Sequence, residues 1–181
     1  MRSPTTKAAD SVLKQAFPPI LGPAPQLLIL GSMPGEASLR IGQYYGHGRN
    51  AFWPIVGALL GLAPTADYAA RRAALIAHGI ALWDVIAACE RQGSLDSAIR
   101  PETIRVNDFA ALFDTCPSIG GIVFNGGTAE REYHRRVLPV LPERHRHIQR
   151  VRLPSTSPAY AGMRFEAKLD AWRVILEWID A

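Results

Sequence analysis

Residues 26–35 read QLLILGSMPG. The first six form a short apolar run between a Pro-rich approach and a Gly-Ser-Met-Pro-Gly turn, the pattern of a strand buried on both faces. Three more runs of this kind lie downstream: GIALWD (79–84), GGIVFNG (120–126) and HIQRVRLP (147–154). Helical patterns separate them. Phe52, Ile55, Val56, Leu59 and Leu60 keep the i, i+3, i+4, i+7 spacing, and Leu169, Trp172, Ile175, Leu176 and Ile179 keep it in the last helix. Strands alternating with helices predict an α/β fold, a three-layer α/β/α sandwich around a mainly parallel sheet of about four strands. Ligands of such sheets gather beyond the carboxyl ends of the strands, where the strand order reverses. That rule selects Gly31 to Gly35, Trp83-Asp84, Asn125-Gly126-Gly127 and LPSTSPA (153–159).

Composition narrows the classes. With 181 residues, 48% of them hydrophobic, the chain can bury one good core. A single domain is expected over 26–181, after a loosely ordered lead-in over 1–25 that ends in the Pro-rich FPPILGPAPQ. No run approaches the roughly 18 apolar residues of a membrane span, and the start, MRSPTTKAAD, lacks the apolar core of a secretory signal. A cytoplasmic location is expected. Cys89 and Cys116 are far apart and form no C-x-x-C pair, which argues against a zinc site, an iron-sulfur cluster or a disulfide framework. The formal net charge is only +4, yet Arg131 to Arg152 holds seven Arg, three His and two Glu. Guanidinium groups suit bidentate contacts to phosphate, although a solvated helix face has the same composition.

The stretch from Gly31 to Gly57, GSMPGEASLRIGQYYGHGRNAFWPIVG, concentrates tight turns, a Tyr-Tyr pair, a His between glycines and an Asn ahead of Phe-Trp. It contains no Gly-Lys-Ser/Thr ending of a P-loop and no G-x-G-x-x-G, so nucleoside triphosphate and dinucleotide chemistry lose their main support. Ser155 and Ser157 lie in no G-x-S-x-G elbow. His145 and His147 alternate with Arg and read as positive surface. Asn50 is a candidate helix N-cap, but capping there would place Pro54 at the fourth helical position, where the missing N–H forfeits the first intrahelical bond. Adjacent Tyr44 and Tyr45 in a Gly-flanked loop cannot both face one core on a regular element, so one of them is expected to face a ligand.

The ordered set GSMPG, QYYGHGRNAFW, GIALWDV, IVFNGG and LPSTSPA resembles the uracil-DNA glycosylase superfamily. It is similar to the mismatch-specific uracil and thymine-DNA glycosylases and most of all to the hypoxanthine-DNA, or deoxyinosine, branch. The likeness covers about residues 26 to 180. It implies a monofunctional DNA glycosylase that excises a deaminated base, hypoxanthine or uracil, by base flipping and water attack at the sugar, in base excision repair. The chemistry suits the residues: the leaving base carries negative charge, the sugar is oxocarbenium-like, and no covalent nucleophile is required. The only lysines, Lys7, Lys14 and Lys168, stand away from the motifs, so no Schiff base is expected.

Carried over position by position, the resemblance makes Gly31, Ser32, Met33, Pro34 and Gly35 the backbone lining of a base pocket. Tyr45 becomes the stacking aromatic, with Phe52 and Asn125 as further base-binding residues. Met33 departs from the pattern, since the resembling families place a catalytic Asn there and a thioether cannot orient a water. The water-positioning role passes to Asn50, with Asp84 as a second catalytic candidate, a carboxylate able to accept from N1–H of hypoxanthine or N3–H of uracil, or to activate the water. Ser155, Thr156 and Ser157 match a loop that grips the DNA backbone, Tyr160 is the candidate wedge, and Arg152 belongs to the basic rim. Leu153 stands where some relatives hold a His or Asn for the leaving base. DNA containing a deaminated base is the expected partner of a monomer with no metal, cofactor or membrane. The alternatives are a catalytically silent nucleic-acid binding module, which would bind DNA without releasing a base, and a small-molecule hydrolase, which would need an elbow Ser or metal carboxylates that are missing.

Overall fold

In the computed structural model, which describes residues 13–179, the elements run in chain order as β1 (Leu13–Gln15), β2 (Leu27–Gly31), α1 (Glu36–Ile41), α2 (Phe52–Leu60), α3 (Tyr68–Ala77), β3 (Ile80–Asp84) and β4 (Ile86–Glu90). They continue as β5 (Arg105–Val106), α4 (Phe109–Thr115), β6 (Gly121–Asn125), α5 (Gly127–Glu132), β7 (Gln149–Leu153), α6 (Phe165–Trp172) and α7 (Leu176–Ile179). The four apolar runs are the four strands of one all-parallel sheet, ordered β3-β2-β6-β7 and flanked by helices. Chain order reverses between β3 and β6 around the first strand, β2, the position at which doubly wound sheets open a crevice.

Register decides what faces that crevice. Leu30 pairs with Trp83 on one side and Phe124 on the other, and this row is covered by α4 and the turn after α5: Trp83 meets Phe109 at 5.3 Å and Phe124 meets Tyr133 at 5.2 Å between ring centroids. The next row, Asp84 paired with Gly31 and followed by Asn125 on β6, must point to the opposite face. There α2 packs with α6, Phe52 standing edge-on to Trp172 at 5.9 Å. Three strands therefore end with Asp84, Gly31 and Asn125 side by side.

A second sheet, antiparallel and ordered β1-β4-β5, grows from the same place. Val85 N–H donates to the Gly31 carbonyl at 2.9 Å and Ile86 N–H to that of Ser32 at 3.0 Å, so the β2 ladder runs past Asp84 directly into β4. Of the lead-in expected over 1–25, residues 1–12 lie outside the described residues, and from Leu13 the chain packs against the two sheets. β1 pairs with β4, and Ile20, 3% exposed, exchanges backbone bonds of 2.9 and 3.0 Å with Leu82. An apolar residue beside an edge strand is held there by burial, whatever prolines flank it. The last helix, expected to be continuous through Ile179, is interrupted by a tighter turn at Arg173–Ile175. No helix among the described residues is long and apolar enough to cross a membrane.

Candidate active site

The loop after β2 begins the site. Gly31 has no alternative there, because a Cβ on it would collide with Asp84 Oδ1 and come within 3.0 Å of the Tyr45 hydroxyl. Beyond it the turn is fixed by residues far away in sequence. Ser32 Oγ lies 2.9 Å from both carboxylate oxygens of Asp96, Arg91 donates to the Pro34 carbonyl, and Ser94 Oγ accepts from Glu36 N–H at 2.9 Å. Met33 folds away into a small apolar cluster with Ile86, Cys89 and Ile99, which explains how a thioether occupies this loop.

Both tyrosines reach the cavity, in different settings. Tyr44 is buried, its hydroxyl donating to the Pro18 carbonyl at 3.1 Å. Tyr45 takes a left-handed backbone with φ +52°, and its ring lies tilted at 40° to that of Tyr44, 6.4 Å between centroids. One face of the Tyr45 ring stacks on Phe52 at 3.9 Å and 21°. Phe52 itself is fully buried and lines no part of the cavity, so its expected role as a base contact is corrected: it backs the platform. The Tyr45 hydroxyl is buried; burial and then the nearby Asp84 raise its pKa, and hydrogen bonding with Asn125 opposes them.

Asn50 does not cap α2 in the expected way. Its Oδ1 accepts from Phe52 N–H at 3.0 Å while Ala51 occupies the cap position, so Pro54 falls at the third helical residue, whose N–H has no intrahelical partner in any case. Ile55 N–H then makes the first helical bond, to Ala51 at 2.9 Å. This bond orients the Asn50 carboxamide and leaves its two N–H donors uncommitted.

These groups line one cavity of about 160 Å³ at the strand ends, an order of magnitude more room than the 10–15 Å³ one water needs. Gly31 to Gly35, Tyr45, Asn50, Asp84, Asn125 and Ser155 to Ser157 all contribute to its walls. Asp84 is 3% exposed and its Oδ2 has no partner. Burial, reinforced by the Asp96 carboxylate and opposed by Arg91, raises the Asp84 pKa to about 8. The sequence treats Asp84 as a carboxylate; in the fold burial favours the neutral acid, which is donor and acceptor at once.

The loop between β7 and α6 is braced more than it is open. Asn125 Nδ2 donates to Thr156 Oγ1 at 2.8 Å and Thr156 N–H returns to Asn125 Oδ1 at 2.9 Å. Thr156 is 1% exposed, so its side chain is a strut and the expected phosphate contact is corrected. Ser155 and Ser157 accept from backbone N–H groups two residues on, each at 3.2 Å. Tyr160 is 45% exposed at the rim. Lys168, expected to stand away from the motifs, donates to the Tyr160 carbonyl at 2.8 Å and sits 5.2 Å from its ring.

The basic segment divides. Arg131 and Arg152 flank a groove that continues from the cavity, with Arg152 paired to Glu130 at 3.0 Å. Arg136 pairs with buried Glu132, Arg146 donates to the Leu141 and Pro139 carbonyls, and Arg144 and His145 hold Asp114. Residues 143–148 precede β7 and so lie at the amino end of the sheet, opposite the cavity. The wall formed by Ser94, Leu95 and Asp96 has no signal in the sequence. Among the described residues no group of three or more His, Cys, Asp or Glu could hold a metal ion.

Residues 18–179 match the Uracil DNA glycosylase superfamily. The chain belongs to this superfamily. It is 42% identical over 114 residues, 62% of this chain and 71% of the relative, to a hypoxanthine DNA glycosylase of Methanosarcina barkeri. It is 41% identical over 138 residues, 71% and 85%, to a hypoxanthine DNA glycosylase of Methanosarcina acetivorans. A solution NMR structure of a Methanosarcina acetivorans protein assigned as a uracil DNA glycosylase superposes with a TM-score of 0.71 at 34% identity, covering 91% of this chain and 99% of the other. The cavity at the strand ends is thus the candidate active site of a DNA glycosylase.

Proposed function

We propose that this glycosylase removes a deaminated base from DNA, hypoxanthine or uracil, through a flipped nucleotide and attack by water. The observation that supports it most is one cavity holding an aromatic platform, Tyr45, and a buried carboxyl with an unpaired oxygen, Asp84. A neutral carboxyl donates to a carbonyl and accepts from the adjacent N–H, which matches the lactam edge shared by hypoxanthine and uracil. Stacking on Tyr45 contributes roughly 1–3 kcal/mol, comparable to the few kcal/mol that flipping costs. The Asn50 amide, oriented by Phe52 N–H, holds the attacking water. Ser155, Ser157, Arg152 and Tyr160 are proposed to meet the DNA backbone and the gap in the stack, and Asn125 to set the loop that carries them. Neither Lys14 nor Lys168 lines the cavity and Lys7 lies outside the described residues, in keeping with a monofunctional reaction.

The test uses end-labelled oligonucleotides carrying one hypoxanthine, uracil, xanthine or thymine, single-stranded and in each mismatch, scored for alkali-labile sites. Release of hypoxanthine or uracil that Asn50→Ala abolishes is expected. DNA binding with no base release from any substrate overturns the reading in favour of a silent binding module, and a borohydride-trapped adduct overturns the monofunctional step.

A further inference from the structure

The cavity and the groove beside it share a short border. Asp96, Asn125, Ser155, Ser157 and Ala159 line both. If the base enters the cavity and the phosphates follow the groove, the sugar of the same nucleotide must lie at this border. Asn125 is committed to Thr156 there, and the two serines accept backbone N–H bonds. Asp96 is the one carboxylate among the border residues. Its oxygens are held by Ser32 Oγ; burial raises its pKa, and the Ser32 hydroxyl, the Arg91 guanidinium, Thr128 and Arg131 oppose that rise.

We infer that Asp96 is the general base of the reaction, accepting a proton from the water that Asn50 holds as that water attacks C1′ of the sugar. The inference rests on the glycosylase reading above. The bonds balance. The water oxygen forms the C1′–O bond, the C1′–N bond breaks with its electron pair leaving on the base, and the water proton passes to an Asp96 oxygen. The departing base takes its proton from the neutral Asp84 carboxyl, and Asp84 and Asp96 exchange back through solvent. Until that transfer the Asp96 charge also faces the oxocarbenium-like sugar and stabilises it. A carboxylate beside a DNA groove repels phosphates. That cost is intelligible where positive charge develops on the sugar.

Groups facing Asp96 that also titrate or carry charge are Asp84, Tyr45, Cys89, Arg91 and Arg131. The test therefore separates binding from chemistry. Wild type, Asp96→Asn and Ser32→Ala are compared in single-turnover release of hypoxanthine across pH, and in affinity for the same oligonucleotide with a non-cleavable 2′-fluoro sugar. Asp96→Asn is expected to slow release about 10²–10⁴-fold, to remove the acid limb of the pH profile and to leave 2′-fluoro affinity within about threefold. Ser32→Ala is expected to shift that limb while keeping most of the rate. Release within about threefold of wild type in Asp96→Asn, or an equal loss of affinity and rate, overturns the assignment. Wild type that releases no base from any oligonucleotide removes the glycosylase reading and this inference together.

Discussion

Asn125, the last residue of β6, and Thr156, in the loop after β7, exchange two hydrogen bonds of 2.8 and 2.9 Å, side chain to side chain and backbone to side chain. The pair closes the carboxyl ends of two neighbouring strands over the cavity. Asn125→Ala leaves the buried Thr156 hydroxyl and N–H without partners, at about 2 kcal/mol, or a Tm lowered by roughly 4–8 °C. Thermal unfolding checks this, and Thr156→Ser, which keeps both bonds, is expected to fall by less than half as much.

Tyr45 combines a stacked ring with a buried hydroxyl beside Asn125. Tyr45→Phe removes that hydroxyl and keeps the plate, so excision and Tm are expected to stay close to wild type. Tyr45→Ala is expected to weaken binding of lesion DNA by about 10–100-fold, which fluorescence anisotropy with a 2′-fluoro substrate measures.

Asn50, in the proposed reaction, has two roles that one substitution can separate. Asn50→Asp keeps an acceptor for Phe52 N–H, and a negative charge at a helix start is tolerated, so stability is expected within about 1 kcal/mol of wild type, read from thermal unfolding. The amide donors are gone, and single-turnover excision is expected to drop at least 100-fold. Asn50→Ala is expected to lose both.

Asp84 sets an alkaline limit. Its pKa is raised from 3.8 to about 8, so the folded protein keeps a proton that the unfolded chain has released. Between those values the unfolded state binds fewer protons, and the contribution of Asp84 to stability declines as pH rises through this window. Excision that needs the neutral carboxyl is expected to fall above about pH 8. Asp84→Asn stays neutral but has no proton to pass to the departing base, so excision is expected to be slower and without that limb, while Tm at pH 9 is expected to rise relative to wild type, a difference that shrinks toward pH 4. A limb that persists in Asp84→Asn assigns it to another group.

What was legible in the sequence was whatever short-range patterning encodes. The four strands of the parallel sheet are continuous apolar runs bounded by Gly or Pro, and α2 begins at Phe52 as its spacing requires. β4 was hidden because β3 passes into it through Val85 without a turn, so that GIALWDVIAACE reads as one apolar stretch. β1 was hidden because Leu13-Lys14-Gln15 acquires a strand's hydrogen bonds only from β4, 73 or more residues away. Asp96 was invisible for the same reason: its partner Ser32 is 64 residues distant, and only the fold makes them neighbours. Phe52 and Thr156 were misjudged because a motif shows which residues lie near a site, whereas burial decides which of them reach it.

The arginine-rich segment bears on the time the enzyme spends on intact DNA. Binding of undamaged duplex is driven chiefly by release of condensed counterions, and each phosphate neutralised adds about 0.9 to the slope of log affinity against log salt. Here Arg136 and Arg144 are engaged by Glu132 and Asp114, and Arg146 is engaged by carbonyls. With those charges paired on the protein itself, and those of residues 143–148 at the end of the sheet opposite the cavity, they are expected to add little to that slope, so the hold on ordinary duplex is expected to rest on the few cations beside the groove, Arg131 and Arg152.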